Sequence, residues 1–275
     1  MTPADVVRRG AGYLGRHEVE SPLATAEALM QLVLGTDRTA VYARSAGLTT
    51  AEAKAYGRAL CRRCTGVPLQ HLTREQGFRR LVLGVRPGVF VPRPETEVVV
   101  ERALGALAEL ETPAVVDVGT GTGAIALSIA YERPDARVWA TDLSADAVTL
   151  ARLNAERLEL AVTVLEGNLL EPLPEDLRGR LDLVVSNPPY LAVGTELPVE
   201  VRADPPQGVF GDPGLYDRLL AQAFAALRPG GSVVVEIEES AGERVADAAV
   251  RAGFLDTEVT PDLAGRQRVL SARRP

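Results

Sequence analysis

From Pro92 onward, short apolar runs alternate with amphipathic stretches. VVDV (115–118), VWATD (138–142), VTVL (162–165), LDLVVS (181–186) and SVVVEIE (232–238) are valine-rich, short and apolar on both sides. Runs of that kind read as strands of a buried parallel sheet. FLDTEV and RVLSA supply two more strands near the C-terminus. Strand and helix in alternation predict an α/β fold, a mostly parallel sheet with helices on both faces. Up to about residue 70 the pattern is helical. Ser21 followed by Pro22 predicts an N-cap and first-turn proline before LATAEALMQLVLG, and Thr50 precedes AEAKAYGRALCRRC in the same way. Between these regions FRRLVLGVRPGVFV offers two β-type runs broken by Gly84 and by Arg86-Pro87-Gly88, the punctuation of a hairpin. The predicted organisation is a helical domain over 1–75, a β-hairpin linker over 76–92 and the sheet domain over 93–275.

Composition narrows the setting. The chain has no low-complexity tract, and no stretch approaches the ~18 uninterrupted apolar residues of a membrane span. The opening MTPADVVRRG lacks the apolar run of a secretory signal, so a cytoplasmic protein without membrane partners is expected. Cys61 and Cys64 share one helix face with no further sulfur partner, which predicts two reduced thiols and no metal. A net charge of −7 gives phosphate backbones no general attraction and argues against direct nucleic-acid binding. Lys54, Arg58, Arg62, Arg63, Arg74, Arg79 and Arg80 form a local basic run, either a solvated surface or a docking site for a partner.

The first sheet strand runs directly into Asp117-Val118-Gly119-Thr120-Gly121-Thr122-Gly123, and the helical run AIALSIAYE follows. Glycines permit the sharp turn and let a ligand approach the backbone, while the helix start presents free N–H groups. The spacing G-x-G-x-G lacks the G-x-x-G that closes the dinucleotide fingerprint, and an acid precedes the first glycine. The pattern favours S-adenosylmethionine over NAD. Asp142 ends the second strand, where a carboxylate accepts both hydroxyls of a ribose; its other role is to cap the helix that starts near Ser144. Asp117 is a turn former whose carboxylate can also order the methionine ammonium or the glycine loop. Asn168, after the third strand, stands where a side-chain carbonyl can accept from an adenine amino group. The cofactor set is therefore Gly119, Thr120, Gly121, Thr122, Gly123, Asp142 and Asn168, with Asn187 beside it.

The fourth strand delivers Asn187-Pro188-Pro189-Tyr190 to the same sheet edge. Two prolines remove two backbone donors and hold the preceding residues extended, so the Asn187 side-chain oxygen and the Pro188 carbonyl become rigid acceptors. Such a pair suits an NH2 group. A carboxamide nitrogen is a weak nucleophile because its lone pair is delocalised, and two hydrogen bonds to its hydrogens would orient it for methyl transfer while the Tyr190 ring packs on the planar group. Asn187, Pro188, Pro189 and Tyr190 are the expected catalytic and substrate-binding residues. Phe90, Tyr13 and Tyr131 read as packing residues.

Together GVPLQHLT (66–73), PRPETE (92–97), DVGTGTGAIALSIA (117–130), NPPY and DLAGRQRVL (262–270) resemble the protein-(glutamine-N5) methyltransferases that modify the Gly-Gly-Gln motif of bacterial peptide chain release factors. The resemblance implies a seven-stranded, class I (Rossmann-like) methyltransferase domain after a helical, substrate-docking N-terminal domain. It also implies S-adenosylmethionine as cofactor, S-adenosylhomocysteine as product and a release factor as protein substrate. A monomer is expected, although the sequence does not itself give the oligomeric state. His71, Phe90 and Asn168 stand where the family usually has tyrosine, leucine and aspartate, and Val201-Arg202-Ala203 replaces part of the usual E-P-R-x-A-L. Two alternatives use the same NPPY chemistry: glutamine methylation of a ribosomal protein and adenine-N6 methylation of nucleic acid.

Overall fold

The first helices are α1 (Pro3–Arg16), α2 (Pro22–Leu34), α3 (Arg38–Ala43), α4 (Thr50–Cys64) and α5 (Leu69–Thr73). Two of them open on reciprocal caps. Thr2 Oγ1 accepts from the Asp5 N–H at 3.3 Å while the Asp5 carboxylate accepts from the Thr2 N–H at 3.1 Å, and Thr49 with Glu52 repeats the device ahead of α4 at 3.2 and 2.6 Å. The cap expected at Thr50 thus falls one residue earlier, because Glu52 is placed to answer Thr49. Ser21 does precede α2, but in a left-handed conformation (φ 46°) without a side-chain bond, so Pro22 alone marks that start. Val7, Leu14, Leu29, Met30, Val41 and Tyr56 form the core under these helices.

This computed structural model describes residues 1–191, 194–197, 201–262 and 264–275. Leu263, which falls inside DLAGRQRVL, lies outside the described residues. The chain divides into two compact units, Met1–Glu75 with Leu197–Ala203, and Gln76–Glu196 with Asp204–Pro275. The residues expected to form a separate linker, 76–92, therefore belong to the sheet unit.

A two-stranded ribbon, β1 (Glu75–Phe78) and β2 (Leu81–Gly84), turns at Arg79-Arg80. The turn lies upstream of Gly84 and of Arg86-Pro87-Gly88, where the glycine and proline punctuation placed it. Arg79 adopts φ 49°, unfavourable for a residue that carries a Cβ, and is held there by tertiary contacts. Its N–H donates to Glu97 at 3.0 Å and its guanidinium pairs with Glu132 at 2.6 Å.

All seven runs read as sheet strands form one sheet. In chain order they are β3 (Ala114–Val118), β4 (Arg137–Asp142), β5 (Val162–Glu166), β6 (Leu181–Ser186), β7 (Leu227–Glu236), β8 (Leu255–Pro261) and β9 (Gln267–Arg273), arranged β5-β4-β3-β6-β7-β9-β8. The first five are parallel, and β9 runs antiparallel to both β7 and β8. Helices α6 (Glu97–Leu107), α7 (Ala124–Glu132) and α8 (Ala145–Arg157) pack with the ribbon on one face through Leu83, Val99, Ile125, Leu127 and Val148. After the short α9 (Pro206–Val209), α10 (Leu215–Ala226) and α11 (Gly242–Ala252) cover the other through Leu219, Leu220, Val245 and Phe254. Because five strands are parallel, their C-terminal ends meet at one edge, and order reverses there between β3 and β6. That crevice is where open α/β sheets bind ligands.

Candidate active site

Register sets the site. Val118 pairs with Thr141 and with Ser186, and Ser186 pairs with Val235, so Gly119, Asp142, Asn187 and Glu236 follow at adjacent strand tips. The buried Ser186 hydroxyl donates to the Val118 carbonyl at 2.7 Å and ties the two central tips together.

In the glycine loop, the Gly119 and Thr120 N–H groups both donate to the Thr141 carbonyl, at 2.8 and 3.0 Å. Gly119 and Gly121 have φ of 73° and 58°, and a Cβ at either would meet no atom within 4 Å, so the backbone there faces open space. Gly123 does different work. It starts α7 at φ 88°, does not line the cavity, and a Cβ would come within 2.8 Å of Leu127 Cδ1. Beneath the loop, the fully buried Asp117 carboxylate accepts from the Thr120 hydroxyl at 2.6 Å and from the Ala126 N–H at 3.1 Å. Burial pushes its carboxyl up to about 7, against these two bonds.

Asp142 accepts from the Gly121 N–H at 2.8 Å through one oxygen and from the Ser144 N–H at 2.9 Å through the other. The cap of α8 is Ser144 itself, so Asp142 retains lone pairs toward the cavity it lines. Burial raises its carboxyl above the usual range, with the Ser144 and Gly121 amides opposing. Asn168 lines the same cavity; its Nδ2 donates to Glu171 at 2.8 Å, which leaves Oδ1 for a ligand.

Asn187, Pro188 and Pro189 form the opposite wall. Asn187 Nδ2 donates to Thr96 Oγ1 at 3.0 Å, which leaves its Oδ1 as the free polar end. Tyr190 departs from expectation. It does not line the cavity; its ring packs against the second core face and its hydroxyl donates to Glu236 Oε1 at 3.3 Å. The chain after it is fastened by the Leu191 N–H to the Val209 carbonyl and the Gly211 N–H to the Leu191 carbonyl, both 3.1 Å. A Cβ at Gly211 would collide with the Pro189 carbonyl oxygen.

Several contributors escaped the sequence reading. Phe90, read as packing, lines the cavity beneath the Arg93 guanidinium, 5.2 Å from its ring centroid. Leu143, Pro205 and Gln207 line it too. Buried Asp204 holds the approach to this wall by accepting from the Val91 N–H and pairing with Arg93. Thr96 sits within PRPETE without a role having been assigned to it, and Glu236 is the one acid closing a run of valines, a signal that was available. The basic run is not one patch: Arg63 is buried, Arg79 is engaged by Glu132 and Glu101, and Lys54, Arg58, Arg62, Arg74 and Arg80 are exposed. Among the described residues no group of His, Cys, Asp and Glu is placed to hold a metal, both cysteines are free, and no helix is long and apolar enough to cross a membrane.

The residues present fit an adenosine cofactor. Backbone facing open space at Gly119 and Gly121, carboxylate lone pairs at Asp142 and a free amide oxygen at Asn168 are the groups such a ligand needs. The Methyltransferase small domain family matches residues 86–259, and the PrmC N-terminal domain family matches residues 5–73. Among solved structures, the 16S rRNA N2 G1207 methyltransferase of T. thermophilus, solved with AdoMet and guanosine, superposes with a TM-score of 0.54 at 22% identity, covering 73% of this chain and 50% of that one. A methyltransferase from Pyrococcus furiosus gives 0.51 at 19% identity, covering 70% and 88%. At these identities the likeness speaks to the fold. Fold, family match and glycine loop together define an S-adenosylmethionine-dependent methyltransferase.

Full-length relatives narrow the class. The release factor glutamine methyltransferase of Moorella thermoacetica is 43% identical over 100% of this chain and 99% of its own. That of Deinococcus radiodurans is 42% identical over the same shares. The chain belongs to the release factor glutamine methyltransferase family.

Proposed function

We propose that this protein methylates the side-chain amide nitrogen of the glutamine in the Gly-Gly-Gln motif of bacterial peptide chain release factors. The observation that carries the reading is the anchored Asn187 carboxamide: its NH2 is held by Thr96, which leaves Oδ1 as an acceptor, and Pro188, the next residue lining the same cavity, carries the second acceptor that this reading requires. Gly119 to Thr122, Asp142 and Asn168 hold the cofactor in this reading, and Gly123 shapes the helix start behind them. When bound, S-adenosylmethionine supplies an electrophilic methyl group on a sulfonium. Asn187 Oδ1 and the Pro188 carbonyl each take one hydrogen of the substrate carboxamide, which turns its lone pair out of conjugation and aims it. As the nitrogen gains the methyl it becomes acidic, and one of its two protons leaves along these acceptors to water. A separate strong base is not needed. Pro188 and Pro189 keep the acceptors from relaxing, and Tyr190 serves from behind as an anchor to Glu236.

The test is incubation of the chain with methyl-labelled S-adenosylmethionine and, in separate arms, a purified release factor, ribosomes and duplex DNA. Label on the release factor glutamine is expected. Label confined to a ribosomal protein or to DNA would overturn the assignment.

A further inference from the structure

Behind the Asn187 wall lies a polar relay that the reaction as described does not use. Glu236, at the tip of β7, is 2% exposed. Its Oε1 accepts from the Tyr190 hydroxyl at 3.3 Å, and its Oε2 is buried with no hydrogen-bond partner among the described residues. Thr96, 3% exposed, lies close enough for its hydroxyl to favour the charged form of this carboxyl, although no hydrogen bond of normal geometry joins the two. Thr96 in turn accepts from Asn187 Nδ2 at 3.0 Å. The Tyr216 hydroxyl donates to the Glu236 main-chain carbonyl at 3.0 Å and fixes the strand tip itself. One carboxyl therefore stands behind both ends of the Asn187–Tyr190 segment.

The polarity of such a relay follows from proton counting. A hydroxyl has a single proton. If Thr96 directs it to the Glu236 carboxylate, only lone pairs remain for Asn187, which must then present its NH2 to Thr96 and its Oδ1 to the cavity. A protonated Glu236 would itself donate to Thr96 Oγ1, freeing the threonine proton. Asn187 could then reverse, offering NH2 to the cavity, where it would face the NH2 of a substrate carboxamide. We propose that Glu236, as the carboxylate and acting through Thr96 and Tyr190, is a positioning residue that decides which end of the Asn187 carboxamide meets the substrate. This rests on the reading that Asn187 Oδ1 accepts from the amide to be methylated.

The surroundings make the charge state of Glu236 sensitive to ordinary pH. Burial pushes its carboxyl up to about 7; Thr96, Arg268 and Tyr190 oppose the rise, and Glu95 adds to it. These are the groups that face it: Glu95 and Thr96 from the turn before α6, Tyr190 after β6, Tyr216 from α10 and Arg268 from β9. Arg268 lies 3.6 Å from Asp262, so its charge is shared. Turnover should therefore fall on the acidic side as Glu236 takes up a proton.

The experiment measures kcat, KM and cofactor Kd against pH for the full chain and for Thr96→Val, Thr96→Ser and Glu236→Gln, with a purified release factor and labelled S-adenosylmethionine. Thr96→Ser should keep the acidic limb and a kcat within about threefold of the parent. Thr96→Val and Glu236→Gln should each lower kcat by about tenfold or more with cofactor Kd little changed, and Glu236→Gln should lose the limb. A parental kcat and pH profile in either variant would overturn the proposal, as would losses in Thr96→Val that Thr96→Ser does not restore. Failure of the parent protein to label the release factor would instead refute the underlying reading, and this proposal with it.

Discussion

Replacing Asn154 tests how the ribbon and the glycine loop hold one another. Its side chain, 2% exposed, accepts from the Gly84 N–H at 2.8 Å and donates to the Gly84 carbonyl at 3.1 Å and the Thr122 carbonyl at 2.9 Å. Asn154→Ala removes all three bonds. Each contributes about 1 kcal/mol net, and a buried group left unpaired costs about 1–3 kcal/mol. Gly84 lies at a partly exposed edge and regains water, whereas Thr122 is 1% exposed and its carbonyl does not. The sum is about 3–5 kcal/mol. At about 2–4 °C per kcal/mol for a domain of this size, the melting temperature of the sheet unit should fall by roughly 6–20 °C. Asn154→Asp is the discriminating variant. It keeps an acceptor for the Gly84 N–H but sets carboxylate oxygens against two carbonyl oxygens, so it should be less stable than the alanine variant although it is nearly isosteric with the parent. Thermal unfolding followed by circular dichroism, with and without S-adenosylmethionine, reads both effects, and cofactor affinity should weaken because Thr122 belongs to the loop. An aspartate variant as stable as the alanine variant, or more so, would refute the hydrogen-bond argument in favour of simple volume.

Other expectations concern the site itself. Asn187→Ala should lower kcat by about a hundredfold or more while leaving cofactor Kd within about tenfold, because the lost bond matters mainly in the transition state; steady-state kinetics with isothermal titration checks both. Asp142→Ala should weaken cofactor binding by about a hundredfold, since it removes the ribose acceptor together with the anchor of the Gly121 N–H, and calorimetry measures it. Glu236→Gln should be more stable than the parent above pH 7 and no more stable near pH 4. The folded carboxyl sits near 7, above its unfolded value, so its favourable contribution is complete at low pH and is lost as pH rises through 7, a difference of at most about 3 kcal/mol. Denaturant melts at several pH values read it, and equal stability throughout would contradict the burial argument. Arg58→Glu with Arg62→Glu, both exposed positions on α4, should raise KM for the release factor without moving cofactor Kd if this surface docks the substrate; an unchanged KM would exclude it.

The sheet was legible because buried parallel strands write themselves as unbroken apolar runs, and VVDV, VWATD and LDLVVS each became a strand over nearly the same residues. The glycine loop was legible because its backbone geometry demands glycine. The ribbon turn was not: Gly84 and Arg86-Pro87-Gly88 carry the usual turn signals, while the turn at Arg79 is stabilised by Glu97 and Glu132, partners that only the folded chain brings near. Tyr190 was assigned to the substrate on chemistry alone, and its actual partner, Glu236, lies on a strand whose register with β6 cannot be read from either segment. The same register explains why Thr96 went without a role. A hydroxyl in a proline-rich turn has no evident purpose until Asn187 is placed beside it.

The measurement that bears most directly on the central claim is a crystal structure of the chain with S-adenosylhomocysteine and a release factor bound. The target glutamine carboxamide should lie with its nitrogen within hydrogen-bond distance of both Asn187 Oδ1 and the Pro188 carbonyl, with Asn187 Nδ2 still on Thr96. A carboxamide seated elsewhere, or an Asn187 reversed so that its NH2 faces the substrate nitrogen, would contradict the account.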